Sequence, residues 1–426
     1  METDITIVGA GACGLMAGRM LAEGGRKVLI LEARERTGGR IYTLHEGTPR
    51  EMGAEFIHGD LPVTIALLRD AGLKYHKTAD EMWHADEQGL QQEESFIEGW
   101  EVLLEKLKEL HEEMSIVDFL EKNFPGPEHR KLRESVLSYA EGYDTAGPEK
   151  ASAIALREEW KEEAVTSGYR IDGGYGGLTE YLEKEFTAAG GVLKLSTTVT
   201  EIRWGGNEVT IIAADGQAYK AKKVLVTVPV SILQADGSEQ GNIQFSPALP
   251  EYKEAAKEIG YGSAIKILME FRESFWEKGE ADLGKAGFIF SNEVIPTWWT
   301  QNPKGTHMLT GWLGGPKAKK MSELKDEDLI MTAVESLASI FKLSTESVLD
   351  LLKEWYIADW NKEAFSRGSY SYASIGAQAA RVVLTTPVKD TIYFAGEALI
   401  QGIEAGTVEA ALRSGKAVAE RILSAK

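Results

Sequence analysis

Gly9, Gly11 and Gly14 fall in the run Gly9-Ala10-Gly11-Ala12-Cys13-Gly14, the spacing with which a backbone approaches a pyrophosphate. Gly9 permits the tight turn, Gly11 leaves the backbone face bare, and Gly14 lets a helix pack closely on a strand. Phosphate charge then meets free N–H groups at the positive end of a helix dipole. Glu32 follows at the roughly 20-residue distance where a carboxylate accepts both ribose hydroxyls of adenosine, and an acid there disfavours a 2′-phosphorylated nucleotide. The expected ligand is a dinucleotide, with FAD and NAD both open. A second residue out of pattern is Lys266, inside the apolar run Ser263-Ala264-Ile265-Lys266-Ile267-Leu268-Met269. It is either a functional cation facing a site or an edge-strand lysine reaching solvent.

The elements around the glycines come in the order that such a ligand needs. Asp4 to Val8 reads as a buried strand, Leu15 to Glu23 as a helix, and Lys27 to Leu31 as a second strand, which makes a βαβ unit. Arg34-Glu35-Arg36-Thr37-Gly38-Gly39-Arg40 continues directly after the ribose acid, as a cofactor contact or as a solvated basic turn. From about Asp80 to Glu163 the chain becomes charged, with Leu103, Leu107 and Leu110 at helical spacing, and a helical insertion is predicted. Strand patterns return at Val192 to Leu195, Glu201 to Trp204, Val209 to Ala213 and Val224 to Val228. A mixed region with a helix from Asp326 to Leu343 follows. The last strand, Thr391 to Ala395, runs into Gly396-Glu397 and a helix from about Thr407. The chain is expected to cross between domains several times.

Composition narrows the chemistry. A chain of 426 residues suggests two or three domains. The single cysteine, Cys13, excludes a disulfide framework and a Cys-based zinc site, and 7 histidines without paired spacing argue against any metal. An organic cofactor or ordinary side chains must do the work. A net charge of -19 disfavours nucleic acid and would attract cations, although the same acidity also simply keeps a protein soluble. No apolar run approaches the ~18 residues of a membrane span, and the strand at the N-terminus leaves no room for a signal peptide. A soluble cytoplasmic protein, without nucleic-acid or membrane partners and with a homodimer allowed, is the expectation.

Taken together, the motifs GAGACG with Glu32, RTGGR (36–40), EMGAEFIHG (51–59), DGGYGGL (172–178), VLVTVP (224–229), IQFSPALP (243–250), YGSAIKILMEF (261–271), TWWT (297–300), LTGWLGG (309–315), FSRGSYSY (365–372), FAGEAL and GTVEAALRSG resemble, in this order and over essentially the whole chain, the flavin-dependent amine oxidase family, which includes monoamine and polyamine oxidases. The resemblance implies an α/β (α+β mixed) fold. A Rossmann-type FAD-binding domain (1–75, 170–250 and 362–426) would interleave with a substrate domain (76–169, largely helical, and 251–361). It implies oxidation of a carbon–nitrogen bond in a primary amine or polyamine, with hydride passing to the flavin and dioxygen as acceptor giving hydrogen peroxide.

The same resemblance assigns residues. Lys266 matches the flavin-facing lysine that holds a water and assists reaction with dioxygen. Tyr370 matches one wall of an aromatic cage for the substrate nitrogen. The other wall is missing because Thr407 stands there, leaving Trp298, Trp299, Trp312, Trp360, Tyr143 and Tyr169 as replacements, with Trp299 ranked first. Ser369 takes the position of a cysteine that binds flavin covalently in monoamine oxidases, so the FAD is expected to be non-covalent. Cofactor contacts are implied for Gly9, Gly11, Ala12, Gly14, Glu32, Ala33, Arg34, Gly39, Arg40, Gly53, Ala54, Val199, Trp360, Gly396, Glu397, Gly406, Thr407 and Val408. His58, in a segment close to the polyamine oxidase version, either contacts a distal amine or is structural. An L-amino-acid oxidase would need a cation for the substrate carboxylate, with Arg50, Arg69 or Arg170 as candidates. A desaturase or porphyrinogen-type oxidase and a catalytically silent flavoprotein are further alternatives.

Overall fold

A computed structural model of the chain describes residues 2–59, 61–92, 97–163, 168–206, 208–279, 283–402 and 405–425. It is a mixed α/β fold in which two sheets carry the site. Ile5, Ile7, Leu29 to Leu31 and Val224 to Val226 are buried on both faces, and such continuous apolar runs form parallel strands. The strands stand in the order Val192–Lys194, Val28–Leu31, Glu2–Val8, Ala218–Val226, all parallel, and Ile392–Phe394 runs parallel to the last turn of Ala218–Val226. The other half of Ala218–Val226 continues antiparallel into Glu208–Ala213 and Val199–Gly205. Helices Ala12–Glu23, Gly176–Ala188 and Val408–Ser424 cover one face through Leu15, Leu178, Leu182, Phe186 and Leu412.

Register explains why distant loops meet. Val8 is level with Leu31 and with Val226, and Val226 with Phe394. The segments that leave these strands, at Gly9, Glu32, Thr227 and Ala395, therefore emerge side by side at the carboxyl edge, where open α/β sheets bind ligands.

The second sheet runs Leu352–Asp359, Ala264–Phe271, Met308–Gly314, Thr297–Thr300, Ala286–Ser291, Glu81–Asp86, Gly89–Gln92. Period-two alternation sends Ile265, Ile267 and Met269 under the helix Asp326–Phe341, against Leu329, Val334 and Leu337. Lys266 and Leu268 consequently face the other way, and Leu268 meets Met52 and Met308. The lysine is thus on a central strand of the sheet, 1% exposed, and not on an edge.

The insertion differs from its predicted helical character at its start. Residues 81–92 form two strands, one parallel to Ala286–Ser291 and one folded back on it. Alternation decides against the charged composition here: Trp83 and Ala85 pack on the sheet core, and Gly89 at φ +115° closes the turn. Helices Trp100–Lys108, Ile116–Asn123, Arg130–Gly142 and Ala153–Glu163 then build a core of their own around Leu103, Phe119, Val136 and Trp160.

Candidate functional site

The glycine run has the geometry of an anion cradle. Gly9 adopts φ +106°, and a Cβ on Gly14 would stand 2.0 Å from the Gly9 carbonyl oxygen, so these two positions hold the turn against the helix. A Cβ on Gly11 would meet nothing nearer than 4.0 Å, which leaves the backbone there open to a ligand. The helix Ala12–Glu23 begins at Gly11 without a side-chain cap, so its first N–H groups face the same opening. Glu32 is fixed at the rim by N–H groups of Ala10 (2.7 Å) and Arg34 (2.9 Å). Bare backbone, helix N-terminus and oriented carboxylate fit the pyrophosphate and ribose of a dinucleotide.

One continuous crevice runs from this cradle across both sheets. Gly9, Gly11, Ala12, Glu32, Ala33, Arg34 and Val199 line its first part. Gly39, Arg40, Gly53, Ala54 and Trp360 line it as well, as do Gly396, Glu397, Gly406, Thr407 and Val408. Gly14 lies behind the turn and does not reach the opening. Arg40 crosses the crevice, donating to the Ser369 carbonyl and to Glu397 at 2.9 Å. Thr407 caps the C-terminal helix by accepting from Ala410 N–H at 3.1 Å, and so aims that helix's positive end at the crevice. Cys13 also lines the crevice, but burial pushes its thiol up to about 12.

Behind the crevice wall formed by Gly53 and Ala54, and not itself lining the opening, Lys266 donates to Glu55 at 2.6 Å and to the Gly53 carbonyl at 3.2 Å. Glu55 also accepts from Arg170 at 2.8 Å, from the Trp299 indole at 3.1 and 3.2 Å, and from Gln301 at 3.2 Å. Burial would raise the Glu55 carboxyl, but the Lys266 and Arg170 charges outweigh it and hold it down at about 2. Nothing in the linear sequence marks this convergence on Glu55. The available signal was an acid and an apolar-strand lysine in separate motifs, and no spacing rule links them.

The aromatic ranking also changes. Trp299 does not line the crevice, and its indole N–H is spent on Glu55. Trp312 does line it, with its ring parallel to Tyr370 (6° between planes, centroids 6.5 Å apart). Both rings are anchored on one helix end: Trp312 donates to the Gly142 carbonyl at 2.7 Å and Tyr370 to the Tyr143 carbonyl. Gly142 is the last residue of Arg130–Gly142, so a negative dipole end sits beside the ring pair, where it favours a cation. Trp298 is buried in the core under Ile295, and Tyr169 lies with Tyr75.

His58 keeps open surface in a recess between Phe56 and Tyr143, yet the surrounding protein withholds solvation and lowers its imidazole to about 4, so it is neutral near pH 7. The three arginines considered for a substrate carboxylate are otherwise engaged. Arg170 is paired with Glu55, Arg50 with Glu270 and Glu354, and Arg69 is at the surface beside Asp70.

Residues 12–423 match the family described as flavin containing amine oxidoreductase. Polyamine oxidase 4 of Oryza sativa subsp. japonica is 27% identical over 456 residues, spanning 98% of this chain and 88% of that protein. Lysine-specific histone demethylase 2 of Homo sapiens is 26% identical over 93% of this chain, which spans only 50% of the demethylase. Among solved structures, putrescine oxidase bound to putrescine superposes with a TM-score of 0.82 at 21% identity, covering 100% of this chain and 99% of the other. Cyclohexylamine oxidase from Brevibacterium oxydans does so with a TM-score of 0.82 at 18% identity, covering 99% of each. At these identities the two structures establish the shared fold. No described helix is long and apolar enough to cross a membrane.

Proposed function

This chain belongs to the flavin-containing amine oxidoreductase family, and we propose that it binds FAD non-covalently and oxidises a small primary amine or polyamine with dioxygen as acceptor. A flavin bound there would supply a two-electron acceptor: hydride would leave the carbon bearing a neutral amine's nitrogen, giving an iminium ion that water hydrolyses, and the two electrons, with two protons, would convert dioxygen to hydrogen peroxide. The protein's part is binding, orientation and charge. The Gly9 to Gly14 turn and Glu32 hold the adenosine and pyrophosphate, while Arg40, Gly53, Ala54, Trp360, Glu397, Gly406, Thr407 and Val408 hold the remainder. In the same reading, segments 1–75, 170–250 and 362–426 form the cofactor domain, and 76–169 and 251–361 the substrate domain.

The parallel Trp312–Tyr370 pair beside a helix C-terminus carries the substrate reading. Aromatic faces and carbonyl dipoles together attract an amine and orient it for reaction. Trp312, in place of Thr407 or Trp299, serves as the second wall, and Trp312→Leu is expected to raise KM for the best amine about tenfold with FAD still bound. Trp299→Leu should change KM less; the reverse order would return the role to Trp299. In this reading His58, beside Tyr143, accepts from a distal ammonium, which favours diamines and polyamines over monoamines.

Arg170 and Arg50 are held in ion pairs and Arg69 is at the surface, so none of these three stands ready for a substrate carboxylate, which favours amines over amino acids. A peroxide-coupled screen over aryl amines, alkyl amines, diamines, polyamines, amino acids and N-methylated lysine peptides tests that choice. Best turnover on an amino acid would overturn it. Serine at 369 and a buried Cys13 support non-covalent attachment, so acid precipitation should release the flavin into the supernatant. Flavin kept in the pellet would refute this. A single, buried cysteine also suits a reducing, cytoplasmic setting.

A further inference from the structure

The Glu55 carboxylate has no role in the reading above, and its surroundings are unlike those of a surface ion pair. Its side chain is 4% exposed, that of Lys266 2% and that of Arg170 9%. Donors reach it from three separate strands, Ala264–Phe271, Gly168–Ile171 and Thr297–Thr300, and from Gln301 just beyond the last. Taking three ions out of water costs several kcal/mol per ion, and an apolar set of similar volume would fill the space without that cost. Stability alone does not account for the cluster.

The lysine's geometry does. An ammonium on a flexible four-carbon stem has three N–H bonds and no fixed direction of its own. Glu55 and the Gly53 carbonyl engage two of the three, which fixes the third, and the ammonium so held sits directly behind Gly53, which lines the crevice. Glu55 also separates Lys266 from Arg170, two buried cations that would otherwise oppose each other's charge.

We propose that Glu55 is a positioning residue that fixes the Lys266 ammonium behind the Gly53 wall of the crevice, and that the lysine so held promotes reaction of the reduced flavin with dioxygen. The inference rests on the reading of Lys266 as the group that assists this reaction. The charged groups facing Lys266 are Glu55 and, further off, Arg170 and Glu51, while the strands on either side present Trp312 and Ala358, which do not titrate.

The test is reoxidation of dithionite-reduced holoenzyme by dioxygen between pH 6 and 10, followed by stopped flow. Glu55→Gln is expected to slow reoxidation about tenfold and to give it a decline with rising pH that the wild type lacks, because the carboxylate charge that pairs with and fixes the ammonium is gone. Glu51, pushed up to about 7 mainly by burial, titrates in the same window, and the decline should persist in Glu55→Gln/Glu51→Gln. Equilibrium titration supplies a readout independent of turnover: the flavin midpoint potential should depend more steeply on pH in Glu55→Gln than in the wild type. Glu55→Asp keeps the charge one methylene further back, and should react more slowly than the wild type with a flat profile. A Glu55→Gln profile like that of the wild type, loss of the decline in the double variant with Glu51, or wild-type rates in Glu55→Asp would each overturn the proposal. So would an equal slowing by Glu55→Gln in a Lys266→Met background, since Glu55 must act through the lysine. If Lys266→Met alone reoxidises at the wild-type rate, the reading of the lysine fails first, and the two failures are distinguishable.

Discussion

Lys266→Met is expected to slow reoxidation of the reduced flavin by dioxygen about 100-fold, the scale on which removal of one preorganised group at a site of developing charge is felt. The reductive half-reaction with amine should change much less, because the aromatic pair and the helix end, not the lysine, receive the substrate nitrogen. The variant should still fold and bind FAD. Methionine preserves the length and apolar stem in a strand whose neighbours are Ile265 and Ile267, and Glu55 keeps Arg170, Trp299 and Gln301 as donors. Separate stopped-flow measurement of the two half-reactions decides the matter. Unchanged oxygen kinetics would remove the lysine from the mechanism, and an equal loss in both half-reactions would point to general disruption of the site.

The contrast between Lys266 and Glu55 shows what a linear reading can and cannot reach. Lys266 is conspicuous in sequence because period-two alternation allows it only one face and its neighbours are all apolar. Its partner is not conspicuous. Glu55 sits in the short stretch Gly53-Ala54-Glu55-Phe56-Ile57, which has no long alternation to mark a buried face, and its donors at 170, 266, 299 and 301 come together only when the second sheet and the strand Gly168–Ile171 are in place. The cofactor end was legible for the opposite reason: turn, helix and second strand are contiguous, and the adjoining segments follow from parallel register. Tryptophans are equivalent in sequence, since any of them suits a core or a wall. Only placement sets Trp312 parallel to Tyr370 and ties Trp299 to a carboxylate. The same limit applies to residues 81–92, where charge suggested helix but alternation and Gly89 set two strands.

Two glycine substitutions should separate the cofactor-holding role of the turn from its role in packing. Gly11 has φ -76° and ψ -179°, open to any residue, and its Cβ would stand in free space. Gly11→Ala should therefore leave the apoprotein's stability within about 0.5 kcal/mol of the wild type. The new methyl occupies the surface that a pyrophosphate must approach, so FAD affinity should fall by at least roughly tenfold. Gly14→Ala places its methyl 2.0 Å from the Gly9 carbonyl oxygen and 2.8 Å from the Thr227 hydroxyl, contacts that backbone movement alone can relieve. It should cost roughly 1–3 kcal/mol in the apoprotein before any ligand is added, and weaken FAD as a consequence. Thermal unfolding of the two apoproteins, with fluorescence titration of FAD, distinguishes the cases. If Gly11→Ala binds FAD as tightly as the wild type, the pyrophosphate does not lie against this turn. If Gly14→Ala leaves the apoprotein unaffected, the close approach of helix and strand at that point is not what shapes the cradle.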